Sequence, residues 1–186
     1  MEKFFQCVSQ FTNLSPESKD ALSGILKRLE LPKDHVLVKP DTMCQHIYFI
    51  EQGLTRTFYY KDGKDVTDWI SAENTFASSI ISFITRKPDR RGIELLEPSI
   101  LYPIHLDDIE GLCTRHHDIE RFVRHLVSFG LIQLQQKFDA LHFETATRRY
   151  QTLMNTNPTL LQRVPLGMIA SYLGITQETL SRIRAQ

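Results

Sequence analysis

Thr176, Gln177, Glu178, Thr179, Ser181, Arg182 and Arg184 lie close together near the end of this 186-residue chain. At helical spacing Gln177, Glu178, Ser181, Arg182 and Arg184 make one outward face. Amides, carboxylates, hydroxyls and guanidinium groups on such a face can read the edges of base pairs or hold phosphates. The residues around them say how that face would be held. Ala170 is small where a first helix must pack closely on a second, and Gly174 can supply the positive φ of a tight turn between them. Ile169, Leu173, Ile175, Leu180 and Ile183 are spaced as a shared core, and Thr176 is placed to cap the second helix, with Thr179 at its third position. The run from Val164 to Arg184 thus reads as a helix-turn-helix.

An ordinary helical hairpin closing a globular domain shows the same helix–glycine–helix pattern, and charge separates the two readings. From Arg148 to Gln186 there are five arginines, one acidic residue and no lysine, a net of +4 in a chain whose total is +0, so the preceding residues carry −4. That asymmetry favours a polyanion as partner of the C-terminal end. Arg148, Arg149, Arg163, Arg182 and Arg184 are the expected phosphate contacts.

The elements that must position this face come earlier. Phe4, Phe5, Val8 and Phe11 recur at helical spacing, and Ser15-Pro16-Glu17-Ser18 is a start signal for a second helix expected to run through Leu29. From Leu31 the period changes to short β-branched and aromatic runs: Val36 to Val38, His46 to Ile50, Leu54 to Tyr60 and Val66 to Ile70. Lys61-Asp62-Gly63-Lys64 is a hairpin turn. Apolar runs over Thr75 to Ile84, Ile93 to Leu96 and Ile100 to Ile104 complete a count suited to a small antiparallel barrel or sandwich over residues 31–106. Asp107-Asp108 reads as a helix N-terminus. A long helix over 118–143 places Ile119, Phe122, Val123, Leu126, Val127, Leu134, Phe138 and Leu141 along one stripe, to be buried on the β domain, on another subunit, or on both. A further helix runs from about Thr145 to Met154, interrupted by Asn155-Thr156-Asn157-Pro158.

Several function classes fall away. The composition, 41% hydrophobic and 24% charged, is that of a globular protein. No apolar run approaches a membrane span, and the N-terminus lacks a signal-peptide pattern, so the cytoplasm is the expected location and no membrane partner is expected. Cys7, Cys44 and Cys113 are scattered without metal-ligand spacing. The seven histidines include no His-x-His pair on a strand, and no metal site or other cofactor is expected. Neither a nucleophile elbow nor a phosphate-cradling glycine loop occurs, so an enzyme is not expected. Arg86, Lys87, Arg90 and Arg91 form the only basic run of the β domain, read as a solvated loop or as the seat of an anionic effector. Trp69 is read as core packing.

Helix pair, β-roll, long connecting helix and C-terminal helix-turn-helix is the order of the Crp/Fnr family of bacterial transcription regulators, which the chain resembles from about residue 10 to its end. The resemblance rests on Val38-Lys39-Pro40-Asp41, on Tyr48-Phe49-Ile50-Glu51-Gln52-Gly53 and on the Asp62-Gly63 hairpin. In the C-terminal part it rests on Arg149-Tyr150, Leu153, Pro158, Leu160-Leu161, Arg163-Val164-Pro165-Leu166 and Ile169 to Arg184, which look like the branch common in the Bacteroidetes. It implies an α+β fold in three parts. These are a β-roll sensor domain with flanking helices over 1–117, a connecting and dimerisation helix over 118–143, and a DNA-binding domain over 144–186 without the usual β-wing.

In family members that bind cyclic AMP, a Gly-Glu pair holds the ribose and an Arg-Ser pair the cyclic phosphate. This chain departs from both. Near Thr75-Phe76-Ala77-Ser78-Ser79 there is no acidic side chain, and near Asp89-Arg90-Arg91-Gly92 the serine is missing. The resemblance places an effector pocket at Ala77, Ser78, Ser79, Arg90 and Arg91, altered so that it takes a ligand other than cyclic AMP or none. It also implies that Gln177, Glu178 and Arg182 read bases: adenine for Gln177, a cytosine amino group for Glu178 and guanine for Arg182. Thr176, Thr179, Ser181 and Arg184 would sit on phosphates. The expected partners are a roughly palindromic double-stranded DNA operator, a second copy of the chain, RNA polymerase and an unidentified small-molecule effector. The rival reading is a cyclic-nucleotide-type sensor whose C-terminal helices contact a protein.

Overall fold

Short apolar runs separated by turns pair into two four-stranded antiparallel sheets in the computed structural model, which describes residues 1–185. The first sheet has the order β1 (Leu29–Leu31), β8 (Ser99–His105), β3 (His46–Gln52), β6 (Thr75–Ala77). The second has the order β2 (Val36–Val38), β7 (Gly92–Leu95), β4 (Thr55–Lys61), β5 (Lys64–Ser71). Val38, Tyr48, Ile50, Ile93, Leu95 and Leu101 fill the space between them. The run Ile47-Tyr48-Phe49-Ile50 is buried on both faces, because Tyr48 and Ile50 point into that core while Phe49 points to the helices behind the sheet. A strand covered on both sides has no polar alternation to show. At the β4–β5 hairpin Asp62 and Gly63 both take positive φ, 51° and 72°, as the tight turn expected there requires.

Helices α1 (Glu2–Ser9) and α2 (Pro16–Ile25) pack on the outer face of the first sheet with α4 (Leu106–Cys113) and the start of α5 (His117–Phe143). Phe4 is the hub, edge-on to Phe49 at 5.4 Å and to Phe122 at 6.4 Å. Two expectations are corrected. The second helix stops at Ile25, not Leu29, because Leu29–Leu31 is taken as a strand by Leu101, Ile100 and Ser99 of β8. The run from Thr75 to Ile84 is a strand only as far as Ala77; Ser79 then caps the short helix α3 (Ile80–Thr85), accepting from the Ser82 N–H. At the start of α4 it is His105 that caps, through Nδ1, while Asp107 and Asp108 occupy the first turn.

The long helix is buried unevenly. Ile119 and Phe122 are sealed against the roll, whereas Leu131, Leu134, Phe138 and Leu141 are 66%, 44%, 53% and 40% exposed. With half-buried Val127 they recur at intervals of four and three residues, the spacing of a coiled-coil seam. After α5 come α6 (Ala146–Thr156), α7 (Leu160–Arg163), α8 (Leu166–Tyr172) and α9 (Gln177–Arg184). Their core of Leu153, Leu160, Val164, Ile169, Ala170, Leu173 and Leu180 is continuous with Leu54 and Leu96 of the roll. Among the described residues no helix is long and apolar enough to cross a membrane.

Candidate nucleic-acid interface

Helix α9 begins where the sequence puts it. Thr176 has extended backbone, and its hydroxyl accepts from the Thr179 N–H at 3.2 Å. The turn before it passes through Gly174 at φ 68°, and a Cβ there would come within 2.8 Å of Leu141 at the end of α5. The positive φ is what favours glycine there, since the end of the exposed Leu141 side chain can move aside for a Cβ. Ile169, Ala170, Leu173 and Leu180 are each at most 4% exposed and form the floor under α9.

Above that floor Gln177, Glu178, Ser181, Arg182 and Arg184 are exposed, and Thr179 is half-buried. Arg182 donates to the Thr179 hydroxyl at 3.2 Å. Glu178 carries a carboxyl held below the usual range by a hydrogen bond from its own backbone N–H, by the Thr176 hydroxyl and by Arg182. The face therefore offers an amide, an ionised carboxylate and two guanidinium groups on one short, rigidly capped helix.

The other arginines of the C-terminal segment divide. Arg148 is exposed. Arg149 points inward, donating to the carbonyls of Leu173 at 2.9 Å and Glu144 at 2.6 Å, which ties the turn before α9 to the end of α5. Arg163 reaches the roll, 2.5 Å from Glu73 and 2.5 Å from Glu97, and these two carboxylates hold its guanidinium firmly ionised. The expectation that all five arginines hold phosphates is thus corrected for Arg149 and Arg163. A charge count does not reveal their partners, which for Arg163 lie 90 and 66 positions away in the chain.

The residues proposed for an effector pocket are brought together only in part. Ala77 is buried at the end of β6, and Ser78 donates to the His46 carbonyl at 3.0 Å. Ser79 donates to Asp89 Oδ2 at 2.6 Å, and Arg91 donates to Asp89 Oδ1 at 3.2 Å and to Asp68 Oδ2 at 2.6 Å. Asp89, 5% exposed, thus occupies both groups. Arg90 stands apart, exposed, on an open cleft of about 500 Å³ that Tyr59, Tyr60, Lys61, Asp68, Ile81 and Arg91 also line. Asp89 stands beside the arginines in the sequence, where a run of charges carries no sign that it turns inward. Trp69, expected in the core, is half-buried where the roll meets α8, edge-on to Tyr172 at 6.3 Å.

In sequence, no protein-family model and no curated protein matches the chain. In structure it resembles FixK2 of Bradyrhizobium japonicum, with a TM-score of 0.74 at 17% identity over 87% of this chain and 84% of that one. A protein of Eubacterium rectale, assigned to the Crp/Fnr transcriptional regulators, gives 0.71 at 16% identity over 91% and 82%. The c-di-GMP-responsive global regulator CLP of Xanthomonas campestris gives 0.68 at 15% identity over 92% and 90%. At these identities the likeness is one of fold: an antiparallel β-roll with flanking helices, a long helix and a C-terminal helical unit, in the arrangement these regulators share.

Proposed function

We propose that this chain is a sequence-specific DNA-binding regulator of the Crp/Fnr type, of the branch common in the Bacteroidetes, acting in the cytoplasm as a homodimer. The observation that carries the reading is the outer face of α9. Gln177, Glu178, Ser181, Arg182 and Arg184 are exposed together on a capped helix whose opposite side is locked by Leu180. Gln177, Glu178 and Arg182 read base edges, while Thr176, Thr179, Ser181, Arg184 and Arg148 settle the helix on the backbone. The seam of Val127, Leu131, Leu134, Phe138 and Leu141 pairs with its twofold mate, so that two copies of α9 enter successive major grooves of a roughly palindromic operator. RNA polymerase is the further partner this role implies. The pocket of Ala77, Ser78, Ser79, Arg90 and Arg91 is altered against cyclic AMP, because Asp89 already holds Ser79 and Arg91 and would repel a phosphate.

Selection of binding sites from a random duplex pool, with the intact protein and no added effector, tests the reading. The expected result is an inverted repeat with half-sites about one helical turn apart. A pool with no enrichment, from protein that binds another protein through α8 and α9, would favour the sensor-module reading instead.

A further inference from the structure

The α8–α9 unit does not hang from a free linker. Helix α8 lies along β5, an edge strand of the second sheet, and the Thr67 N–H donates to the Ser171 hydroxyl at 2.9 Å instead of to another strand. Beside that bond, Trp69 meets Tyr172, and Lys137 of the long helix stands 5.4 Å and 4.8 Å from the centres of the two rings. The same ammonium donates to the Asp68 carbonyl and lies 3.3 Å from its carboxylate. Asp68 in turn accepts from Arg91, Arg91 donates to Asp89, and Asp89 accepts from Ser79. The backbone of Asp89 is pinned as well, its carbonyl accepting from the Asp41 N–H at 2.8 Å and its own N–H donating to Thr42. A continuous line of polar contacts therefore runs from the inside of the roll, through the long helix, to the first helix of the DNA-reading unit.

The charges along that line balance. Asp89 and Asp68 are anionic, Arg91 and Lys137 cationic, and the four sum to zero. Without the Asp89 carboxylate, Arg91 keeps one partner, Ser79 loses its acceptor, and the cluster carries one unmatched positive charge in a space the size of a carboxylate. Removing the buried member of this half-buried set leaves the others poorly compensated, and such a space is a place for a small external anion.

We propose that Asp89 is a built-in anion that keeps this line permanently closed. Asp68, Arg91 and Lys137 are then positioning residues that hold α8 and α9 at one angle to the long helix without any small-molecule signal. The consequence for operator spacing rests on the DNA-reading proposal; the latch itself does not. Its reporter is already present, because Trp69 is the sole tryptophan and sits at the junction.

The experiment uses the full chain, as wild type, Asp89→Ala and Lys137→Met. It measures acrylamide quenching of Trp69 and hydrogen exchange of the Thr67 amide, with and without formate, a monoanion the size of the deleted carboxylate. In wild type, Trp69 should be shielded and indifferent to formate. In Asp89→Ala, quenching should rise and Thr67 exchange should quicken by about tenfold or more, and formate should reverse both. Lys137→Met should loosen the same two probes with no rescue by formate, since it cuts the line beyond Asp89; it serves alone if Asp89→Ala does not fold. Unchanged probes in either variant overturn the latch, and so does a wild-type response to formate equal to that of Asp89→Ala. Duplexes with two half-sites and with one are then compared. Asp89→Ala should lose affinity for the first and keep it for the second. If wild type binds neither duplex while Trp69 and Thr67 behave as described, the latch stands and the DNA-reading proposal falls.

Discussion

The outer face of α9 and the interior of the roll are built from the same kinds of side chain, arginine, hydroxyl and carboxylate, and they are used in opposite ways. On α9, Glu178, Ser181, Arg182 and Arg184 are exposed to solvent. In the roll, Ser79, Asp89, Arg91 and Asp68 satisfy one another at 2.6 to 3.2 Å. A polar group offers itself to a partner only if its own neighbours have left it open, because a hydrogen bond already made within the fold must be broken before a ligand can take it. Residue type therefore says what a site can bind, and burial with pairing says whether it is available to bind it.

The largest test of this contrast undercuts the open face from below. Leu180 is 1% exposed and is the apolar anchor of α9, so Leu180→Ala should destabilise the C-terminal unit by about 2 to 5 kcal/mol. Denaturant unfolding should reveal that loss, and duplex binding should vanish although none of the residues proposed to read bases has changed. Retained binding would mean that α9 is held by something other than this core.

Acid tests the closed side. Burial alone would raise the carboxyls of Asp68 and Glu73. At Asp68 the hydrogen bond from Arg91 with the charges of Lys137 and Arg91 outweighs burial, as the Arg163 contact does at Glu73, and both carboxyls lie below their ordinary values. The unfolded chain then takes up protons before these groups do. Their stabilisation is complete above roughly pH 5, where unfolded carboxyls are ionised, and is lost as the pH falls through the lowered folded values. Trp69 emission, at the junction between roll and α8, should hold steady from pH 7 to pH 5 and change only in stronger acid. A transition between pH 5 and pH 7 would assign the junction to histidine titration instead.

The sequence showed the open side better than the closed one. The cap at Thr176, the turn at Gly174 and the Leu180 core are local, set by residues within a few positions of one another, and local patterns are what spacing reveals. So is the long helix, whose period is visible over its whole length. The strand at Leu29–Leu31 was hidden because its partner is β8, some seventy positions on, and a three-residue run carries no period of its own. Arg163 looked like a phosphate contact for the same reason, since its carboxylates come from two turns of the roll. Asp89 was in view beside Arg90 and Arg91, but nothing in a run of charges tells which of them turns inward.

A smaller effect separates the exposed arginines from one another. Arg182 is the candidate reader of guanine, so Arg182→Ala should lose about 1 to 3 kcal/mol at a single base pair of each half-site and relax the preference there. Arg90→Ala, an equal loss of charge from the exposed cleft of the roll, should leave the selected sequence untouched. Binding measured against operators altered one position at a time distinguishes the two. Uniform weakening over every sequence would move Arg182 from base reading to phosphate contact.

The smallest effect concerns two arginines of one helical unit that differ only in their neighbours. Arg184 is exposed on α9, whereas Arg163 is held by Glu73 and Glu97. A phosphate contact releases counterions from DNA, so Arg184→Gln should lower the slope of log affinity against log salt by about 1. Arg163→Gln should leave that slope where it is, because its charge is already matched inside the protein, and should register in thermal unfolding, where two carboxylates lose their common partner. Were the two substitutions to shift the salt slope equally, Arg163 would have to leave the roll when DNA binds. The clamp would then be a contact exchanged for phosphate rather than a fixed part of the fold.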